Sequence, residues 1–139
     1  MDILIDTNVI LDVLLRREPF YKDAARICIL SEKGIIRAYI SATTVTDIYY
    51  IVRKELKSKE LAFELLIDIL KTINIASATE IDIYEAIDLK WDDFEDSVQY
   101  VIGKRIDVKH IITRNPKDFL NSQIKTMSPE EYLSKHISN

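Results

Sequence analysis

The sequence is poor in the residues that break a chain or staple it. Two of its 139 residues are glycine (Gly34 and Gly103) and three are proline, so long flexible linkers are not expected. Neither glycine lies in a phosphate-cradling loop, which argues against the usual ATPases and dinucleotide enzymes. The single cysteine, Cys28, excludes an intramolecular disulfide and reads as a small buried hydrophobe. The two histidines, His110 and His136, have no metal-ligand neighbours in sequence, so a zinc site is not expected. His110 reads as the start of a strand and His136 as part of a frayed tail. No apolar run is long enough to span a bilayer. The opening Met1-Asp2-Ile3-Leu4-Ile5-Asp6 has two acids and no basic stretch, unlike a secretory signal. A cytoplasmic protein without membrane contact is expected.

What is present is the composition of a folded domain: 47% hydrophobic and 30% charged residues. A chain of 139 residues is the size of one domain, here read as 1–139, and can bury about two-thirds of its unfolded surface without disulfides or structural zinc. The net charge of −4 argues weakly against a nucleic-acid partner. The charges are unevenly placed, however. Eight acids fall between Glu80 and Asp96, and after Ser97 the balance turns basic with Lys104, Arg105, Lys109, Arg114 and Lys117. An acidic total can therefore hide an acidic metal site with a basic rim.

Apolar periodicity orders the chain. Ile3-Leu4-Ile5 reads as a buried strand ending at Asp6, with a short helix from Val9 to Leu15. Phe20 to Lys33 reads as a helix stopped by Gly34, and Ile35 to Ile40 as a strand. Val45, Ile48, Tyr49, Val52 and Leu56 recur at helical spacing. Leu61 to Leu70 fits another helix, with Leu61, Leu65, Leu66 and Ile69 inward. Ile73 to Ala76 is a candidate strand. Thr79-Glu80-Ile81-Asp82 resembles a capping box that opens a helix containing Ile83, Tyr84 and Ile87. Val98, Val101 and Ile102 mark a helix after the acidic loop, and His110 to Thr113 a strand. Ser128-Pro129-Glu130-Glu131 has the cap, N1 proline and acidic first turn of a last helix. Strands alternating with helices imply an α/β fold of three layers, a mostly parallel central sheet with helices on both faces. In such folds the reactive groups gather beyond the carboxyl ends of the strands, where Asp6 and Asn115 both fall.

Four segments could carry chemistry. Asp6-Thr7-Asn8, at a strand tip, suits a hard cation and its waters, although alone it reads more simply as a helix cap. Asp47 falls outside the apolar stripe of its helix, near Thr43, Thr44 and Thr46, and alone reads as a solvated acid. Asp92-Asp93-Phe94-Glu95-Asp96 opens a helix. Some acids there serve the helix dipole, but Asp93 and Asp96 share a face and repel unless a cation lies between them. Thr113-Arg114-Asn115-Pro116-Lys117-Asp118-Phe119 brings oxygen donors (Asn115, Asp118) and two cations (Arg114, Lys117) that could meet a phosphate, or is a plain surface turn.

Their order along the chain resembles the PIN-domain family, and the resemblance covers nearly the whole sequence. It implies a ribonuclease that binds one or two Mg²⁺ or Mn²⁺ ions and cleaves single-stranded RNA. Many compact members are toxins of toxin–antitoxin pairs and are commonly dimers, so an antitoxin partner and a homodimer are implied too. Residue by residue, the resemblance implies Asp6 and Asp96 as the principal metal ligands. Asp47 stands where the family usually has Glu, and Asp118 where a fourth acid lies. Asp93 is a further candidate ligand. Thr7, Asn8 and Asn115 would stand behind the ligands, and Arg114 and Lys117 would contact phosphate. Asp12 also lies near the first motif, but a surface position is expected for it.

Oxygen donors without Cys or His pairs favour Mg²⁺ or Mn²⁺, and the chemistry that fits them is phosphodiester hydrolysis. A binding module that keeps this fold without cutting is the alternative, kept open by the short Asp47. An aspartyl phosphatase would want Asp at position 8 and Thr at position 10, where Asn8 and Ile10 stand. A phospho-acceptor receiver would want an acidic pair near the amino end, which is missing. Tyr50 could stack on a base, whereas Tyr49 lies on the apolar stripe. Phe20, Tyr21 and the helix to Leu30 could form a dimer face or an antitoxin groove.

Overall fold

The computed structural model describes residues 2–119 and 121–137. Among them five strands alternate with helices: β1 (Asp2–Ile5), α1 (Thr7–Leu14), α2 (Tyr21–Glu32), β2 (Arg37–Ser41), α3 (Ala42–Leu56), α4 (Lys59–Leu70), β3 (Asn74–Ala76), α5 (Glu80–Leu89), α6 (Phe94–Arg105), β4 (His110–Ile112), β5 (Lys125–Met127) and α7 (Pro129–His136). A 3₁₀ turn, Pro116–Phe119, follows β4.

The strands form one parallel sheet in the order β3-β2-β1-β4-β5. In the centre, Leu4 lies between Tyr39 of β2 and Ile111 of β4. Side chains alternate across the sheet, and this splits the interior in two. Ile3, Ile5, Ala38, Ile40 and Ile112 enter a core closed by α1, α2, α3, α4 and α7. Leu4 and Ile111 enter the opposite core, closed by α5 and α6. The three layers expected from the sequence are therefore present.

Local chemistry sets the helix ends. Asp6, Ser41, Ser58, Thr79, Asp93 and Ser128 each accept a hydrogen bond from the backbone of the helix they precede, each such cap stabilising by about 1 kcal/mol. Thr79 and Asp82 make the reciprocal capping box that the sequence suggests. After α2, Gly34 takes φ +75, a left-handed conformation that glycine adopts without strain.

Three expectations are corrected. β5 is a strand that periodicity does not reveal: Lys125 and Thr126 are polar and three residues are too few to show alternation. Leu61 is exposed, because the inward face of α4 is carried by Ala62 and Ile69 with Leu65 and Leu66 half-buried beside them. His136 closes α7, its ring 4.5 Å from that of His110 and 5.1 Å from that of Tyr132, so ring packing holds the segment expected to fray.

The order of the sheet determines where chemistry can occur. From β1 the chain winds to β2 and β3 on one side, while β4 and β5 lie on the other. The winding reverses between β1 and β4, and loops leaving their carboxyl ends diverge there to open a crevice. Asp6 and Thr113 are the residues that leave those two ends.

Candidate functional site

Asp6 follows β1 directly. Its backbone N–H is held by the Ile112 carbonyl of β4 at 2.9 Å, and its side chain is almost fully buried. Three donors converge on its carboxylate: the Thr7 backbone N–H (2.7 Å) and the Gln99 amide Nε2 (2.9 Å) on Oδ1, and the Thr113 hydroxyl (2.7 Å) on Oδ2. Burying a carboxylate without such partners is costly. Here they come from α1, α6 and the end of β4, so Asp6 is fixed by three parts of the fold.

α6 brings the next acids. Asp93 is exposed and caps the helix, accepting from the Asp96 N–H at 3.0 Å. Asp96 is buried one turn on. Burial, then the charges of Asp6, Asp93, Asp118 and Glu95, push its carboxyl up to about 7. Glu95 accepts a hydrogen bond from the Thr7 hydroxyl at 3.0 Å, and Thr7 also pairs with the Thr44 hydroxyl at 3.0 Å. Burial pushes Glu95 up to about 7 as well, followed by the hydrogen-bonded carboxyl of Asp47 and the charge of Asp6. Asp47, half-buried on α3, therefore faces Glu95 across the mouth of the site. Acids at these values are being held near neutrality by one another and by desolvation.

Other expected residues take varied places. Asn8 accepts from the Arg114 backbone N–H at 3.4 Å, and Asn115 donates its backbone N–H to the Thr113 hydroxyl at 3.1 Å. These bonds tie the loop after β4 to α1. Asp118 is exposed on the 3₁₀ turn, near enough for its charge to act on Asp96. Lys117 is exposed beside it.

Asp12 overturns the expectation of a surface position. It is fully buried, and Arg114 Nε lies 2.8 Å from its Oδ2. Burial pushes its carboxyl up, against the pull of Arg114 and Arg17. Arg114 also lies over the Phe20 ring, 4.3 Å from its centroid. The arginine considered for phosphate contact is thus engaged by a buried acid and an aromatic face. The wider basic rim is also reduced. Lys109 precedes β4, at the end of the strand away from Asp6. Arg105 is held by Asp82 at the far end of α6 from the acids.

Gln99 was not legible as a site residue, Thr44 was noted only among the threonines near Asp47, and Glu95 only within the acidic run that opens α6. Helical spacing offered a signal for two of them: Gln99 lies three residues after Asp96, and Thr44 three before Asp47. The polarity of Gln99 amid Val98, Tyr100, Val101 and Ile102 was the other available sign.

A PIN-domain family model matches residues 2–117. The chain belongs to the PIN-domain family. It is 28% identical over 142 residues to Ribonuclease VapC1 of Aquifex aeolicus (strain VF5), covering 96% of this chain and 94% of that protein. Among solved structures it resembles a chain of DNA-bound VapBC from Salmonella typhimurium (TM-score 0.73, 13% identity, 93% of this chain and 98% of that one). It also resembles a chain of VapBC2 from Rickettsia felis bound to a promoter DNA fragment (TM-score 0.71, 16% identity, 92% and 98%). At such identities these two structures bear on the fold alone, which they share with this PIN domain.

The donor set suits a hard divalent cation: every candidate is a carboxylate, hydroxyl or amide oxygen. Gln99 Oε1, beside Asp6, is buried without a hydrogen-bond partner among the described residues. Among the described residues no three His, Cys, Asp or Glu side chains converge closely enough to ligate one ion as they stand. Burial first, and the charges of neighbouring acids after it, keep the carboxyls of Glu95 and Asp96 near neutrality. A PIN-domain cluster of this kind fits a cation in charge and donor chemistry, with side-chain rotation needed to close round it.

Proposed function

We propose that the protein is an endoribonuclease that hydrolyses phosphodiester bonds of single-stranded RNA with Mg²⁺ or Mn²⁺, as the toxin of a toxin–antitoxin pair. The observation that carries this reading is the convergence on Asp6. A buried carboxylate, held by three hydrogen bonds where the winding of the parallel sheet reverses, lies near enough to act on Asp96 and Glu95, with Asp47 against Glu95. The likeness to Ribonuclease VapC1 supports the activity, and the antitoxin partner is proposed from the fold shared with chains of VapBC complexes.

Asp6 and Asp96 would hold the metal as principal ligands, with Asp118 and Asp93 nearer the rim. Glu95 supplies reach that Asp47 lacks, being one methylene longer than an Asp and drawn inward by Thr7. When bound, the cation supplies an activated water and charge neutralisation at the scissile phosphate. The chain's own groups fix the geometry. Thr113 and Gln99 hold the Asp6 carboxylate in one rotamer, and Thr7 holds Glu95. Asn8 and Asn115 hold the loop that carries Lys117, whose ammonium is free to meet a phosphate oxygen. We further propose that the protein is a homodimer in the cytoplasm. The absence of a preformed three-carboxylate centre among the described residues keeps one other reading: a PIN-fold module that binds RNA or protein without cutting.

End-labelled single-stranded RNA incubated with the protein in Mn²⁺, Mg²⁺ or EDTA tests the proposal. Cleavage with metal and none in EDTA is expected. Intact RNA in every condition, together with measurable RNA binding, would favour the binding module.

A further inference from the structure

Beside the carboxylates lies a cavity of about 400 Å³, within the range of small-ligand sites, about 300–1,000 Å³. Its walls come from the α5–α6 connection and from the 3₁₀ turn after β4. Lys90, Trp91, Lys117 and Asn121 line it together with three acids, Asp92, Asp93 and Asp118, the last two at the rim of the carboxylate cluster. Trp91 stacks on Tyr100 with ring centroids 4.9 Å apart, and meets Phe119 edge-on at 6.0 Å. Its indole is therefore fixed in place. Lys90 closes α5 in the left-handed conformation (φ +59), which turns the chain away from the helix at the cavity. Both lysines are exposed, and no ion pair engages either of them among the described residues.

We propose that this cavity is a nucleotide subsite, holding one ribonucleotide of the RNA strand next to the bond that is cut. This rests on the ribonuclease reading and adds to it where the strand lies. A fixed aromatic wall suits a base, since stacking accepts any base through its π-face. Two unpaired ammonium groups suit the flanking phosphates. Continuity with Asp93 and Asp118 places the neighbouring phosphodiester at the carboxylates. The acids of the rim repel a free anion, so a phosphate lacking a base binds poorly here. A nucleotide gains stacking and amide contacts, with Asn121 offering donor and acceptor to a base edge.

Trp91 is the single tryptophan, so its indole N–H gives one resonance that reports on the cavity. Nucleoside 5′-monophosphates contain no phosphodiester and can be titrated into the full-length wild type in Mg²⁺. AMP and UMP are expected to shift the indole resonance saturably, at concentrations at least about tenfold below those needed with ribose 5-phosphate or inorganic phosphate, the ratio set by one base stack. Trp91→Phe, which retains an aromatic ring against Tyr100, and Lys90→Ala are each expected to raise the KM for single-stranded RNA severalfold with kcat little changed. Equal shifts with ribose 5-phosphate, or no shift with any nucleotide, would overturn the subsite, as would wild-type KM in both variants. RNA cleavage in those cases leaves the ribonuclease reading standing. Nucleotide binding at Trp91 without RNA cleavage would preserve the subsite and remove the nuclease. An indole resonance that ignores nucleotides but moves with an antitoxin peptide would assign the cavity to protein recognition instead.

Discussion

Asp12 and Glu95 show what single residues contribute here, and neither role was visible in the sequence. Asp12 is a buried acid that Arg114 compensates only in part, and removing Asp12 leaves Arg114 without its ion-pair partner. Asp12→Ala is therefore expected to destabilise the protein by about 3 kcal/mol, the lower end for broken buried pairs because Arg114 keeps some contact with water. Urea unfolding measures this, and a change below about 0.5 kcal/mol would show that the pair contributes nothing net. Glu95 is the reverse case. Its carboxyl is raised by burial first and then by Asp47 and Asp6, so its charge opposes folding in the absence of a cation. Glu95→Gln is expected to leave the melting temperature in EDTA unchanged or higher, and to shrink the rise produced by Mn²⁺. A lower melting temperature in EDTA with a full Mn²⁺ response would make Glu95 a structural residue only. Asp6 at a strand end and Asp96 in the first turn of a helix stood out by position, whereas the ligand roles proposed for them and for Asp118 came from the resemblance to the PIN-domain family. The roles of Gln99 and Thr44 were not readable, because they depend on α6 and α3 meeting at β1, a contact between segments far apart in the chain.

Among the elements, helix ends were the most legible part of the fold and the edge strand β5 the least, while β3 at the other edge was read from the sequence. Thr79–Asp82 and Ser128–Pro129 announce α5 and α7 through side chains that satisfy nearby backbone groups, so local sequence is enough. β5 gives no such sign, since its place at the sheet edge is defined by pairing with β4 across a loop. The start of α5 also carries the clearest dependence on pH. Asp82 is buried, which works against its charge, but Arg105 and the Thr79 backbone and hydroxyl outweigh burial and hold its carboxyl below the usual range. The folded state thus favours ionised Asp82. The resulting stability is present in full above the unfolded pKa of about 3.9, and is lost as pH falls through the folded value. Asp82→Asn, which can still accept from the Thr79 N–H, is expected to lower stability at pH 7 and to flatten its decline between pH 4 and acid unfolding. A parallel loss in wild type and variant, measured by urea unfolding at several pH values, would refute the assignment.

At the scale of the molecule, the parallel sheet serves the site by reversing direction between β1 and β4, with a helical layer on each face contributing to the crevice. α3 brings Asp47 from one layer and α6 brings Asp96, Glu95 and Gln99 from the other. The three-layer arrangement was foreseeable from strands alternating with helices, but the strand order was not, because parallel pairing leaves no turn signature. Cation binding should therefore act on the whole fold, joining both layers to the central strands. With free Mn²⁺ at about 100 times its Kd, stabilisation of about 2.7 kcal/mol is expected, a rise of several degrees in melting temperature. The most direct test of the Asp6-centred site is to measure Mn²⁺ binding by calorimetry, and RNA cleavage on the same samples, for wild type and Asp6→Asn. Loss of both in a variant that keeps its folded circular-dichroism spectrum is the expected result. An Asp6→Asn protein that binds Mn²⁺ and cuts RNA as well as wild type would contradict the account.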